Sequence, residues 1–104
     1  MPDGLVSNVN AEGVQYYNNL INGLIDAGIK PMVTMYHWDL PSNLETKYGG
    51  WLNESMTDYF KDYADFLYNK FGDRVKFRSL IFFYEFFVEN YQIKMIWSRI
   101  FLFL

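Results

Sequence analysis

The chain has 104 residues, a formal net charge of −3, no cysteine and one histidine. Lysine and arginine number 9 against 12 for aspartate and glutamate, so there is no basic field to hold nucleic acid or an anionic membrane. Without cysteine, neither a disulfide framework nor a thiolate metal site is possible, and one histidine excludes a histidine-rich metal site. No metal or cofactor is therefore expected, and the length allows one domain at most.

Neither a targeting segment nor a convincing membrane span is visible in the sequence. The first four residues, Met1 to Gly4, lack the basic start and apolar run of a signal peptide, and the compartment stays open. The most apolar stretch is 77–104, and a membrane-spanning helix needs about 20 apolar residues with few or no charges. That stretch is interrupted by five charged residues: Arg78, Glu85, Glu89, Lys94 and Arg99.

The first predicted element is a helix over about Asn10–Ala27. Asn10 is a suitable N-cap, and Glu12 places negative charge in the first turn. Apolar residues recur at steps of three and four and form one buried stripe: Val14, Tyr17, Leu20, Ile21, Leu24 and Ile25. Gly28 can adopt the left-handed conformation that ends a helix.

A short buried strand is predicted over Pro31–Tyr36. Pro31 stands at the strand entry, where a missing N–H costs least. The run from Met32 to Tyr36 is nearly continuous in apolar residues, which is typical of a parallel strand covered on both faces. A helix, a glycine and a buried strand form the αβ half of a repeating β/α unit, so the sequence predicts an α/β fold.

After this strand the sequence predicts an irregular stretch over His37–Asn53, and long loops of this kind are often functional. A second helix is expected over about Ser55–Phe71, with Ser55 and Asp58 as a capping box. Its buried stripe would consist of Met56, Tyr59, Phe60, Tyr63, Phe66, Leu67 and Phe71, and its solvated face would carry Asp58, Asp62 and Asp65. Residues 73–76 would then lead into another strand.

The densest chemical signal is the stretch Tyr-His-Trp-Asp-Leu-Pro at 36–41, which begins where the predicted strand ends. In parallel β/α architectures, ligands bind at the carboxyl ends of the strands. His37 offers an imidazole donor and acceptor, and Trp38 offers a flat apolar face with one N–H. This pairing suits a sugar, which has hydroxyls and an apolar C–H face. The competing interpretation is a packed, hydrogen-bonded pair without a ligand.

Three ordered blocks carry a resemblance to a known family: PMVTMYHWDLP at 31–41, KYGGWLN at 47–53 and FGDRVK at 71–76. With these blocks in order, residues 1–76 resemble glycoside hydrolase family 1, which contains the β-glucosidases and myrosinases. The resemblance implies a (β/α)₈ TIM barrel that hydrolyses the O-glycosyl bonds of β-glycosides with retention. This chain would supply a fragment of that barrel: about helix 2, strand 3, helix 3 and the approach to strand 4.

The resemblance also implies roles for the loop residues. His37 and Trp38 match the sugar-binding histidine and tryptophan of the family's His-Trp-Asp-Leu-Pro motif, which hold hydroxyls of the non-reducing sugar. Asp39 matches as well, and we expect a structural role for it in the loop. The implied partner of the complete family protein is therefore a β-glycoside sugar, while composition and charge predict no nucleic-acid partner and no convincing membrane span.

The expected catalytic residues are missing from their family positions. Retention requires two carboxylates about 5–5.5 Å apart, one as nucleophile and one as acid/base. In the family these are glutamates in an Asn-Glu-Pro and a later Glu-Asn-Gly motif. The family spacing places the first at Phe83, and Glu85 has no Asn before it and no Pro after it. The second motif has no counterpart, so no catalytic residue is predicted.

From Phe77 onward the sequence changes character. Residues 77–104 contain seven phenylalanines and no Gly, Pro, Ala, Asp or Thr, without a clear helix or strand period. We therefore predict two parts, a partial family 1 barrel segment over 1–76 and a non-family hydrophobic tail over 77–104. Translation into an intron or past a frameshift would produce a tail of this composition, and a separate exon encoding an anchor or partner-binding segment is the alternative.

Two function hypotheses from different classes follow. In the first, the chain is an incomplete β-glucosidase-like hydrolase that is inactive alone. In the second, it is a short non-catalytic form that binds a sugar or a partner through the loop at His37 and Trp38.

Overall fold

The computed structural model describes the backbone of residues 1–81 and 101–103 and the side chains of residues 1–76. The helices are α1 (Ala11–Asp26), α2 (Ser42–Tyr48) and α3 (Ser55–Phe71), and the strands are β1 (Met32–Tyr36), β2 (Phe77–Ile81) and β3 (Phe101–Phe103). Two 3₁₀ turns lie at Val6–Asn8 and Gly50–Leu52. Within this described part, no helix has the length and apolar character needed to cross a membrane.

Helix α1 confirms the first predicted element and its cap. The Asn10 side-chain oxygen accepts the backbone N–H groups of Glu12 and Gly13, at 3.0 and 3.3 Å. Gly28 has a φ of +75°, the left-handed conformation expected after the helix. Ile25 corrects the predicted stripe, because it is 40% exposed. It lies one residue, about 100° of helical rotation, beyond the buried Leu24 and so turns away from the core.

Strand β1 is the central strand of a three-stranded parallel sheet in the order β2-β1-β3. Met32 is paired with Phe77 on one side and with Phe101 on the other. Four of the five β1 residues are buried, which confirms the predicted strand and its two covered faces. Strand β2 confirms that residues 73–76 lead into a strand.

Residues 77–104, in which the sequence shows no clear helix or strand period, contain strands at 77–81 and 101–103. Both segments form parallel ladders with β1. The ladder joins backbone groups, so it forms without requiring a regular apolar period in the side chains. The rest of that tail, including Phe83 and Glu85, lies outside the described residues.

The stretch predicted as irregular, His37–Asn53, contains helix α2. This helix has only seven residues and one buried side chain, that of Leu44. A single apolar anchor cannot produce the three- and four-residue periodicity from which a helix is recognised. The helix ends at Gly49, whose φ of +80° turns the chain sharply.

Helix α3 is confirmed, but the predicted capping box is not formed. The residue before the helix, Glu54, is itself in helical conformation and makes no side-chain cap bond. Instead, the side-chain oxygen of Asn53 accepts the backbone N–H of Ser55 at 2.9 Å. The acidic residues predicted on the solvated face, Asp58, Asp62 and Asp65, are all exposed.

The core lies between α1, α3 and one face of β1. It consists of Ile21, Leu24, Val33, Met35, Leu67, Phe71 and Val75. Arg74 joins the elements around this core, because its guanidinium donates to the side-chain oxygens of Asn18 and Asn22 on α1, at 2.7 and 2.8 Å. The same group donates to the backbone oxygen of Lys70 in the last turn of α3 at 3.1 Å. Arg74 therefore links both helices just before β2 begins.

Candidate functional site

The candidate site begins where β1 ends, at Tyr36, as the sequence predicted. His37 follows and is half-buried, and the Trp38 side chain is 68% exposed. Trp38 also has a φ of +69°, a left-handed conformation that costs a non-glycine residue roughly 1–2 kcal/mol. Strain of this kind persists only where neighbouring contacts hold the backbone in place.

One of those contacts comes from Asp39. Its carboxylate oxygen accepts the backbone N–H of His37 at 2.9 Å and closes the turn around Trp38. This bond gives Asp39 the structural role in the loop that the sequence predicted. The turn directs the Trp38 indole outward at the carboxyl end of a parallel strand.

An aromatic cluster of Tyr36, Trp51 and Phe60 lies at the carboxyl end of β1, and the sequence analysis did not identify it. The indole N–H of Trp51 donates to the hydroxyl of Tyr36 at 3.0 Å. The rings of these two residues meet edge to face with centroids 5.3 Å apart, and Phe60 lies 5.7 Å from Trp51. Tyr36 in turn contacts Trp38, with centroids 6.2 Å apart. The Gly-Gly-Trp block at 49–51 was the only available signal for this cluster.

A cavity of about 340 Å³ lies between α1, α3 and the loop after β1. Its walls are mainly apolar and aromatic, and include Tyr17, Phe60 and Tyr63. Neither His37 nor Trp38 is among the residues that line it. The cavity is therefore separate from the surface that His37 and Trp38 present.

Tyr63 is the most strongly perturbed titratable group near the loop. Its hydroxyl donates to the backbone oxygen of Met35 at 3.0 Å. Burial raises the pKa of Tyr63 well above its usual value, and the negative charge of nearby Asp39 adds to this shift. Tyr63 therefore stays neutral and holds α3 against β1. Among the described residues, no cluster of three or more His, Asp and Glu side chains could hold a metal ion.

Comparison with known proteins identifies the family. The sequence model of glycosyl hydrolase family 1 matches residues 1–88 of the chain. The chain belongs to glycosyl hydrolase family 1. The match extends past residue 76, where the resemblance in the sequence blocks ended, into the phenylalanine-rich segment.

Individual relatives agree with this assignment. The chain is 57% identical to beta-glucosidase 42 of Arabidopsis thaliana over 75 residues, which are 72% of this chain and 15% of the relative. Myrosinase 1 of Brevicoryne brassicae is 56% identical over 75 residues, 72% of this chain and 16% of the relative. The chain therefore spans a small part of the length of these relatives.

A solved structure shows the same local fold. A β-glucosidase from Thermotoga maritima, in complex with deoxynojirimycin, superposes with a TM-score of 0.72 at 45% identity, covering 77% of this chain and 18% of that protein. Family 1 β-glucosidases are TIM barrels, which confirms the α/β class, and the described residues form a three-stranded part of a sheet rather than a closed barrel.

Proposed function

We propose that this chain is a segment of a β-glucosidase-like hydrolase of β-glycosides, and that His37 and Trp38 bind the non-reducing sugar. The observation that carries the proposal is the position of this pair in a family 1 chain. Both residues directly follow the carboxyl end of β1, and Trp38 is 68% exposed. Ligands of parallel β/α folds bind at this end of the strands.

The two side chains would bind different parts of a sugar. The Trp38 indole can cover the apolar C–H face of the sugar ring, and the His37 imidazole can donate to or accept from a hydroxyl. The bond between Asp39 and the His37 backbone fixes the turn before a ligand arrives. A fixed turn lowers the ordering cost of binding.

Within the family barrel, we assign α1 to helix 2, β1 to strand 3, α3 to helix 3 and β2 to the approach to strand 4. The order helix, parallel strand, helix, parallel strand in the structure supports this assignment. Hydrolysis with retention would need two carboxylates, and the family position of the acid/base is occupied by Phe83. We therefore propose that the chain alone is inactive.

A nitrophenyl β-glucoside assay tests the inactivity. We expect no turnover that scales with purified protein, and no rescue by Phe83→Glu, because a retaining mechanism would still lack its nucleophile. Turnover that scales with protein and disappears in Glu85→Gln would show that the chain is an enzyme by itself.

The second candidate function is a non-catalytic sugar-binding form, and the exposed, strained Trp38 favours it. Titration of the full chain with cellobiose tests this function. Saturable binding that is lost in His37→Ala and kept in Lys30→Ala would support it, because Lys30 is exposed and precedes the opposite end of β1. Binding that survives His37→Ala would place the sugar elsewhere.

We also propose that 1–76 is a partial family 1 barrel segment and that 77–104 has another origin, intron translation or a frameshift. The family match that reaches residue 88 counts against this boundary. The support is compositional, since the segment is rich in residues with AT-rich codons. Sequencing the gene and its mature messages tests this proposal. A splice donor near the Lys76 codon, with a downstream exon encoding Asn-Glu-Pro, is the expected result. Abundant spliced messages that join this tail from a separate exon would contradict it.

A further inference from the structure

The last residue of β1, Tyr36, contacts Trp51, which lies 15 residues further along the chain. We infer that Trp51 is the positioning residue of the sugar site, acting through the hydroxyl of Tyr36. This inference rests on the proposed sugar-binding function and adds a residue to it. Its basis is a continuous chain of contacts from Trp51 to Tyr36 and from Tyr36 to Trp38.

The first contact in this chain fixes Tyr36. Tyr36 is the last residue of β1 and only 9% exposed, and its hydroxyl accepts the indole N–H of Trp51 at 3.0 Å. Its ring also packs edge to face against Trp51 and Phe60, with centroids 5.3 and 6.4 Å away. A side chain held by a directed bond and two ring contacts has little freedom to rotate.

The second contact, between the rings of Tyr36 and Trp38, restricts the position of the Trp38 side chain. Tyr36 directly precedes His37 in the chain. Its ring centroid lies 6.2 Å from that of Trp38, with an interplanar angle of 61°. The Trp38 backbone is left-handed at φ +69°, a conformation that persists only where neighbouring contacts hold it. Asp39 holds this turn from one side, and Tyr36 supports the indole from the other.

The loop geometry shows how Trp51 reaches this position. Gly49 and Gly50 both have positive φ, at +80° and +57°, and reverse the chain after α2. The positive φ of Gly50 favours glycine there, whereas the Glu45 carboxylate that a Cβ would meet is the end of a flexible, exposed side chain and can move. The Trp51 ring is 46% exposed, and its N–H still reaches Tyr36.

The test uses the only histidine of the chain as a local probe. The variants are Trp51→Phe, which removes the N–H and keeps a ring, Tyr36→Phe, which removes the acceptor, and the double variant. Tyr16→Phe is the matched control, since Tyr16 is 62% exposed on α1. The NMR shifts of the His37 ring protons are recorded at one pH, with and without added cellobiose.

We expect each single variant to weaken cellobiose binding about three- to tenfold, the loss that follows from one neutral hydrogen bond. The double variant is expected to lose no more than either single variant, because all three remove the same bond. Tyr16→Phe is expected to bind as the original chain does. Unchanged affinity in both single variants, or additive losses in the double variant, would overturn the inference.

The same spectra separate this inference from the proposed function. If the original chain does not bind cellobiose, the proposed sugar site fails, and the His37 shifts without sugar then decide the positioning role. Matching displacements in Trp51→Phe, Tyr36→Phe and the double variant support it, and unchanged shifts refute it. Circular dichroism checks the fold of each variant. If Trp51→Phe does not fold, Tyr36→Phe alone decides, since it keeps both rings.

Discussion

Replacing Arg74 tests whether the tie between the two helices stabilises the fold. In Arg74→Lys the positive charge remains, but the planar guanidinium, which donates from two nitrogens at once, is lost. Lysine is a point charge on a flexible stem and cannot hold Asn18 and Asn22 together in the way the guanidinium does. The variant therefore isolates the geometry of the bonds from the charge.

The expected magnitude follows from the number and burial of these bonds. A hydrogen bond to a charged group contributes about 1.5–3 kcal/mol, and the 23% exposure of the Arg74 side chain favours the lower end. Arg74→Lys loses at least one bond, so we expect the free energy of unfolding to fall by about 1.5 kcal/mol, roughly tenfold in the folded-to-unfolded ratio. The ion pair with Asp73, whose side chain is 69% exposed, adds little.

Urea unfolding of the full chain, followed by circular dichroism, measures this change. Lys61→Gln is the control, because its ion pair with Asp65 is 68% and 59% exposed and is expected to contribute about 0.5 kcal/mol or less. Asn18→Ala, made both in the original chain and in the Arg74→Lys variant, measures the coupling between the two positions. Equal stability of Arg74→Lys and the original chain, or additive effects of the two changes, would refute the reasoning.

Four further changes have defined outcomes in the same unfolding assay. Tyr63→Phe removes the bond to the Met35 oxygen and is expected to cost about 1 kcal/mol at neutral pH. Burial raises the pKa of Tyr63 above the ordinary value near 10 that a tyrosine has in the unfolded chain. The contribution of Tyr63 to the free energy of unfolding is therefore complete below about pH 10 and declines above it. When the pH is raised above about 10, Tyr63→Phe should lose less stability than the original chain does. Gly50→Ala, at φ +57°, is expected to cost about 1–2 kcal/mol, while Gly23→Ala, in open space on α1, should gain about 0.5–1 kcal/mol. Asn10→Ala is expected to cost about 1 kcal/mol and to speed hydrogen exchange in the first turn of α1.

Local chemistry in the sequence determined the regular elements around the site. The Asn10 cap and the terminal Gly28 defined α1, and the apolar run of β1 defined the strand and its end before His37. Each signal involves residues within about four positions of each other or a single run, so it is readable without knowing the path of the chain. The same signals failed for α2, which is too short to show a period.

Tertiary structure alone decided how the site is supported. Trp51 meets Tyr36 across 15 residues, and Arg74 reaches Asn18 across 56. The pairing of β3 beside β1 likewise has no local sequence signal. These three features depend on which distant parts of the chain meet in the fold, and this is set by packing of the whole core rather than by the chemistry of neighbouring residues.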